Sequence, residues 1–331
     1  MNQAEASRGL EAVWYGRSPV AWLLAPFAGL FWLGTTVRRR SYRSGWLQSQ
    51  RLPVPVLVVG NLTVGGTGKT PVTAWLAALC VQSGFHPGIV SRGYGGRPSP
   101  EPRLVSPDDD AGDVGDEPLL LRRQTGVPVC VHPDRVAAGR RLVAAGVNVV
   151  IADDGLQHYR LQRDLEIAVL DGQRRLGNGF LLPAGPLREP ASRLADVDLV
   201  LVNGGPAGAG EFAIGSAISG LHSLDGHSQC ALRDLRRQSV RMLAGIGNPG
   251  RFRAELAAAG LVVEAVPVPD HGRVDLEALC RASAVPIVMT EKDAVKYRPV
   301  GGCPVWVAAV DFQVPAAVGD RVLECLRKLG K

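Results

Sequence analysis

Aromatic residues are scarce, 5% of the 331-residue chain, and no basic run is interleaved with them. Nucleic-acid surfaces need stacking rings beside a basic track, so this composition argues against such a partner. The six cysteines, Cys80, Cys130, Cys230, Cys280, Cys303 and Cys325, lie far apart and contain no CxxC. That spacing gives no zinc signature and no disulfide framework, and reads as reduced cytosolic thiols. Internal repeats and low-complexity tracts are lacking as well, which removes solenoid and linker-dominated architectures.

With 46% hydrophobic residues the chain can bury a large core, and two domains are the expectation for this length. A net charge of +6 and a pI near 9.2 favour an anionic partner, either a membrane or a phosphorylated substrate. Ser18–Val37 carries no charge over 20 residues, which is just enough to span a hydrocarbon core. Trp14, Tyr15, Trp22 and Trp32 suit the interface. Five arginines and no acid lie between Arg38 and Arg51, so the positive-inside rule keeps the rest of the chain cytoplasmic. A cleavable signal fits poorly because the basic cluster follows the apolar run. Pro26, Gly29 and Gly34 weaken a spanning helix. An interface-lying anchor and a buried core helix are therefore the alternatives.

The rest of the chain is organised around Val54–Val72. An apolar, β-branched run, Val54–Val59, reads as a buried strand ending at Gly60. Gly65, Gly66, Thr67 and Gly68 then form a glycine-rich turn, and Lys69-Thr70 opens a helix that runs through Cys80. This is a phosphate cradle: backbone N–H groups and the helix N-terminus face the anion, Lys69 adds a mobile charge, and Thr70 can ligate magnesium. A strict GxxxxGK[ST] pattern would need glycine where Thr63 stands, so the match is to the GGxGK[ST] subset.

Short apolar strands alternate with helical stretches beyond it, the pattern of a parallel α/β sheet. The strands are expected at Gly88–Val90, Val127–Val131, Val147–Ala152, Leu165–Leu170 and Asp198–Val202. Their polar ends collect along one edge, where open α/β sheets place ligands. From Pro206 to about Arg237 the pattern weakens into a linker. A second α/β segment comes next, with strands at Val240–Ala244 and near Pro286–Thr290 and Pro304–Val310, and a final helix from Ala316.

Asp153-Asp154 ends a buried strand in the manner of a Walker B element. Strand alternation leaves open which carboxylate meets a metal. Asp116, in Gly115-Asp116-Glu117-Pro118, is either a helix N-cap or a general base for an attacking hydroxyl. His271 lies in a proline-rich charged loop from which it could pair with a carboxylate across a cleft. Arg92, Arg135 and Arg188 sit in loops at the proposed site edge and could neutralise phosphate charge.

The motifs GNLTVGGTGKTP, SRGYGG, GDEPLLL, HPDR, DDGLQHYRL, GNGFLLPAGPLREP, GIGNP, PDH and EKDAVK run in order from about Gly60 to Lys296. In this combination the chain resembles the tetraacyldisaccharide 4'-kinases of lipid A biosynthesis. The resemblance implies ATP-dependent phosphorylation of the 4'-hydroxyl of a tetraacylated glucosamine disaccharide 1-phosphate, giving lipid IVA. It implies a P-loop NTPase-type α/β fold, its mostly parallel sheet covered by helices on both faces. A membrane-anchoring helix over 1–40, a catalytic domain over 41–206, a two-stranded linker over 207–237 and a smaller α/β domain over 238–331 complete the expected organisation.

Carried over by position, Lys69 and Thr70 serve ATP and magnesium, and Asp116 acts on the acceptor hydroxyl with His271 as its partner. Asp153 and Asp154 serve the metal, and Arg135, Arg188 and Glu189 line the site. Gly272 follows His271 where a histidine or bulkier residue is expected, which loosens that loop. The expected location is the cytoplasmic face of the inner membrane, with the lipid disaccharide as partner and nothing calling for an obligate protein partner. The competing class is a membrane-associated P-loop switch or metallochaperone. It leaves the anchor and the second α/β segment unexplained.

Overall fold

The structure, a computed structural model, describes residues 3–16, 18–268 and 272–329. His271 and Asp270 lie outside the described residues. The strands of the first half are β1 (Val56–Gly60), β2 (Pro87–Ser91), β3 (Arg103–Leu104), β4 (Val129–Val131), β5 (Val149–Asp153), β6 (Leu165–Asp171) and β7 (Leu199–Asn203). Those of the second half are β8 (Glu211–Ser223), β9 (Gln229–Cys230), β10 (Ser239–Leu243), β11 (Val262–Val266), β12 (Ile287–Thr290) and β13 (Val305–Gln313). Helices α1 (Gln3–Tyr15) and α2 (Val20–Arg43) precede the sheet, and α3 (Lys69–Gln82), α4 (Ala111–Val114), α5 (Asp116–Thr125) and α6 (Arg135–Ala144) belong to the first half. Then come α7 (Pro249–Ala258), α8 (Leu276–Ala282), α9 (Glu291–Ala294) and α10 (Ala316–Leu329).

One sheet runs through the molecule in the order β11-β10-β12-β13-β8-β7-β6-β1-β5-β2-β4-β3, with β9 paired to β8. From β7 to β4 every pairing is parallel. Such strands are buried on both faces, which is why β1 and β5 read as apolar up to their ends, and β6 does so apart from Glu166, which Arg163 and Arg193 pair. Alternate residues feed opposite cores: Leu57, Val59 and Ile151 pack towards α3 and α5, while Val56, Val58 and Val150 pack with Val136 and Leu142 of α6.

The strand β8 joins the two halves. Glu211–Ile214 pairs in parallel with β7, and from Gly215 onward the same strand runs antiparallel to β13. The linker strand expected within 207–237 therefore finds its main partner in β13, near the far end of the chain. Its hairpin with β9 spans only two residue pairs. Strands β10 to β13 are parallel and carry their own cores, around Phe252 and Leu256 on one face and Leu276 and Ile287 on the other. The chain then returns: Val318, Val322 and Leu326 of α10 are buried in the first half's core beside Trp75 and Leu79. Reduced thiols are a correction for one pair, because Cys280 and Cys303 form a disulfide. They are distant in sequence, but α8 packs over β12 and β13 and brings them together.

The 24-residue α2 is long and apolar enough to cross a membrane. Only Ala21 and Ala28 of it are buried, whereas Trp22, Leu23, Phe27, Leu30 and Leu33 are exposed. It is therefore not a core helix. The amino-terminal helices touch the body through a few polar and ring contacts. The Trp14 indole donates to Pro183 O at 3.0 Å, and Trp22 meets Phe180 edge to face at 5.2 Å. Arg39 and Arg43 pair with Asp196.

Candidate active site

The phosphate loop leaves β1 at the carboxyl edge and turns into α3 through Gly65 and Gly68, whose φ values of +108° and +93° favour glycine. Asn203, the last residue of β7, donates its amide to Thr67 O at 3.1 Å, and Asn61 donates to Gly65 O at 3.2 Å. These bonds fix the loop from both sides. A Cβ on Gly68 would stand 2.2 Å from the Asn203 amide nitrogen. Gly68→Ala therefore combines a clash with a left-handed backbone, about 1–3 kcal/mol of strain. Nucleotide affinity is expected to fall about tenfold or more, which titration with a fluorescent nucleotide measures.

The loop between β10 and α7 lies directly on this cradle. A Cβ on Gly247 would meet Gly66 N at 2.4 Å, and Arg174 holds Gly247 O at 2.9 Å. Arg251 on α7 donates to Asn203 Oδ1 at 3.1 Å and to Ser216 Oγ at 2.7 Å. Between the two halves is a cleft of about 250 Å³, lined by Gly66–Pro71, Glu117, Asn203, Gly247, Arg251 and Lys292 among others.

The two adjacent acids have different surroundings. Asp153 ends β5 opposite Val59, is buried, and accepts from Thr73 Oγ1 at 3.0 Å. Burial first, then Glu117 and Asp154, push its carboxyl up to about 7 against the pull of Lys69 and the Thr73 hydroxyl. Asp154 follows with φ +49° and accepts Arg188 Nη1 on both oxygens, at 3.0 and 2.9 Å. Lys69 Nζ is 3.8 Å from Asp154 Oδ1. Burial alone would raise the Asp154 carboxyl, but Lys69 and Arg188 outweigh it and hold the group below the usual range.

Asp116 is the first residue of α5 and is 8% exposed. Across from it stands the short helix α9. Lys292 Nζ bonds Glu117 at 3.0 Å, and Lys296 Nζ lies 3.4 Å from Asp116 Oδ2. Thus the two acids of GDEP meet the two lysines of EKDAVK.

Arg135 is buried at the start of α6, where its Nη1 donates to Pro133 O at 3.3 Å and its Nε has no partner among the described residues. Burial lowers its pKa, and the charge of Arg92 adds to this against Asp154 and Asp153. The buried Nε2 of His158 has no partner among the described residues, and burial, with Arg135 second, pulls its pKa down to about 4. Glu189 is 2% exposed and sits in a buried network behind this group: the Tyr159 hydroxyl and Gln157 Nε2 both donate to it, Arg193 lies beside it, and Gln157 Oε1 accepts from Arg188 at 3.5 Å. Lys69, Asp153, Asp154 and Arg188 therefore form one group. Asp116 and Glu117 meet the second half beside it, and Glu189 braces the loops behind. Sequence reasoning assigned no role to Thr73, Asn203, Gly247, Arg251 or Lys296. Gly247 and Lys296 belong to motifs it had singled out.

The sequence profile described as tetraacyldisaccharide-1-P 4'-kinase matches residues 20–327. A tetraacyldisaccharide 4'-kinase of Nitrosococcus oceani is 48% identical over 319 residues, covering 96% of this chain and 94% of that protein. One from Alkalilimnicola ehrlichii is 48% identical over 322 residues, covering 97% of each. Among solved structures, an "apo" form LpxK from Aquifex aeolicus in complex with ATP aligns with a TM-score of 0.75 and 28% identity, over 93% of this chain and 99% of that one.

Proposed function

The chain belongs to the tetraacyldisaccharide-1-P 4'-kinase family, and on that premise we propose how its residues perform the reaction. It is an ATP-dependent lipid A kinase, acting on the 4'-hydroxyl of the tetraacyldisaccharide 1-phosphate. The observation that carries the residue-level reading is the shared cleft, in which the phosphate loop and Glu117 of GDEP face the second half of the chain, with Asp116 beside it against Lys296.

In this reading Gly65–Gly68 and the start of α3 hold the ATP phosphates through backbone N–H groups. Lys69 swings from its 3.8 Å contact with Asp154 to follow the γ-phosphoryl group. Arg135 and Arg188 neutralise charge at the site edge. Asp116 accepts the proton of the 4'-hydroxyl as that oxygen bonds to the γ-phosphorus and the bond to the β-γ bridging oxygen breaks. His271 orients Asp116. The second half, 238–331, closes on the catalytic half, 41–206, through the 207–237 linker and its β13 partner, and excludes water from ATP.

Magnesium fits the donors present. Among the described residues no three His, Cys, Asp or Glu side chains form a cage. Thr70 and a buried Asp153 whose ionisation a cation would favour are the sparse set that magnesium uses together with phosphate oxygens and water. Asp154, tied by Arg188, would add negative charge beside it. When bound, the ion neutralises charge on the β- and γ-phosphates. Release of ADP that depends on added disaccharide 1-phosphate tests the reading. ADP release at the same rate without lipid would indicate a hydrolase or switch instead.

The substrate's acyl chains keep it in a bilayer, and α2 brings the enzyme there on the cytoplasmic face of the inner membrane. Leu23 and Leu30 are 77% and 69% exposed, so replacing both with aspartate spares the folded core. Each aspartate is expected to cost about 2.5–3.5 kcal/mol in the bilayer, which moves the protein to the soluble fraction in flotation assays with its nucleotide affinity unchanged. Unchanged membrane partitioning would mean that α2 is not the anchor.

A further inference from the structure

Lys296 belongs to the second half of the chain, yet its ammonium group reaches the first. Its side chain is 1% exposed. Three acceptors surround Nζ: Asp293 Oδ1 at 3.0 Å, Asp116 Oδ2 at 3.4 Å and Gly272 O at 3.4 Å. An ammonium has three donors, so this set satisfies it. Asp293 is itself fixed, because its other oxygen accepts from Gly245 N at 3.0 Å and Thr290 Oγ1 at 2.7 Å. The base of the lysine is therefore held by β12, α9 and the β10–α7 loop, and its tip lies against the acid at the start of α5.

A purely structural lysine would need only Asp293 and Gly272, its partners within the same half, and water. The contact with Asp116 crosses between the halves, and the contact with Gly272 grips the residue next to His271. We propose that Lys296 is a positioning residue for phosphoryl transfer. It sets the plane of the Asp116 carboxylate when the halves meet, and ties the acid to the backbone of the histidine loop. This rests on Asp116 as the proton acceptor. Misplacing a reacting group by an ångström costs about a hundredfold, so an anchor of this kind acts on kcat rather than on binding.

Lys296→Met alone leaves Asp293 buried without its cation and could fail to fold. The charge-matched pair Lys296→Met/Asp293→Asn keeps an oxygen for Gly245 and Thr290 and removes the ammonium together with the carboxylate charge that offsets it. In the full-length enzyme this pair is expected to lower kcat about ten- to a hundredfold. Tm stays near that of the unmodified enzyme, while ATP affinity and KM for the lipid disaccharide change by no more than about twofold. In an Asp116→Asn background the same pair is expected to change kcat by no more than about twofold, because no carboxylate remains to be oriented. An unchanged kcat, a kcat loss of equal size in the Asp116→Asn background, or a loss confined to Tm or KM would each overturn the proposal. If Asp116→Asn alone turns over at the unmodified rate, the proton-acceptor reading fails first and takes this inference with it.

Discussion

Lys69→Ala is expected to lower turnover by about a hundredfold or more, roughly 2.7 kcal/mol of transition-state stabilisation. Lys69 starts α3, where its ammonium can track charge that moves onto the transferring group. Arg188 is committed to both oxygens of Asp154, and Lys292 to Glu117. Arginine at position 69 is not expected to restore the rate, because a planar fork cannot follow the phosphate as a compact charge does. Steady-state kinetics at saturating ATP measure this. Near-normal turnover would show that the glycine loop does not hold the reacting phosphates.

Asp116→Ala and His271→Ala are each expected to lower kcat by about a hundredfold to ten-thousandfold, the usual worth of positioned proton transfer. Neither residue belongs to the phosphate loop, so ATP affinity should change little. If they act as one unit the double variant resembles the worse single one. Losses that multiply in full would assign them separate tasks. The N-cap alternative for Asp116 does not hold, because Gly115 occupies the N-cap of α5, no side chain caps it, and Asp116 is the first helical residue.

The first half of the fold was legible because its strands are buried on both faces. Val56–Gly60 is an unbroken apolar run, Leu165–Leu170 is interrupted only by Glu166, and punctuation at their ends marks the ligand edge. The glycine loop was legible for a similar local reason: its spacing alone encodes a strand, a turn and a helix. What could not be read was pairing at a distance. The strand β8 is half-exposed and changes partners at Gly215, and nothing in its own residues names β13. The last helix reads as an amphipathic stretch, but the sequence does not say that its buried face belongs to the first core. The two adjacent aspartates stay undivided in the sequence because alternation gives opposite directions without saying which faces inward. The +49° φ of Asp154 and the Thr73 bond to Asp153 decide it. Lys296 was invisible as a site residue because its partner Asp116 belongs to a motif in the other half.

The central claim is transfer of the ATP γ-phosphoryl group to the lipid's 4'-oxygen within this cleft. The most direct measurement is incubation of the purified full-length enzyme with γ-labelled ATP and the tetraacylated disaccharide 1-phosphate, followed by mass and positional analysis of the lipid. A bisphosphorylated product labelled at the 4'-position, absent with Lys69→Ala and strongly reduced with Asp116→Ala, is the predicted result. Label released only as free phosphate, or lipid phosphorylated equally well by the Lys69→Ala variant, would contradict it.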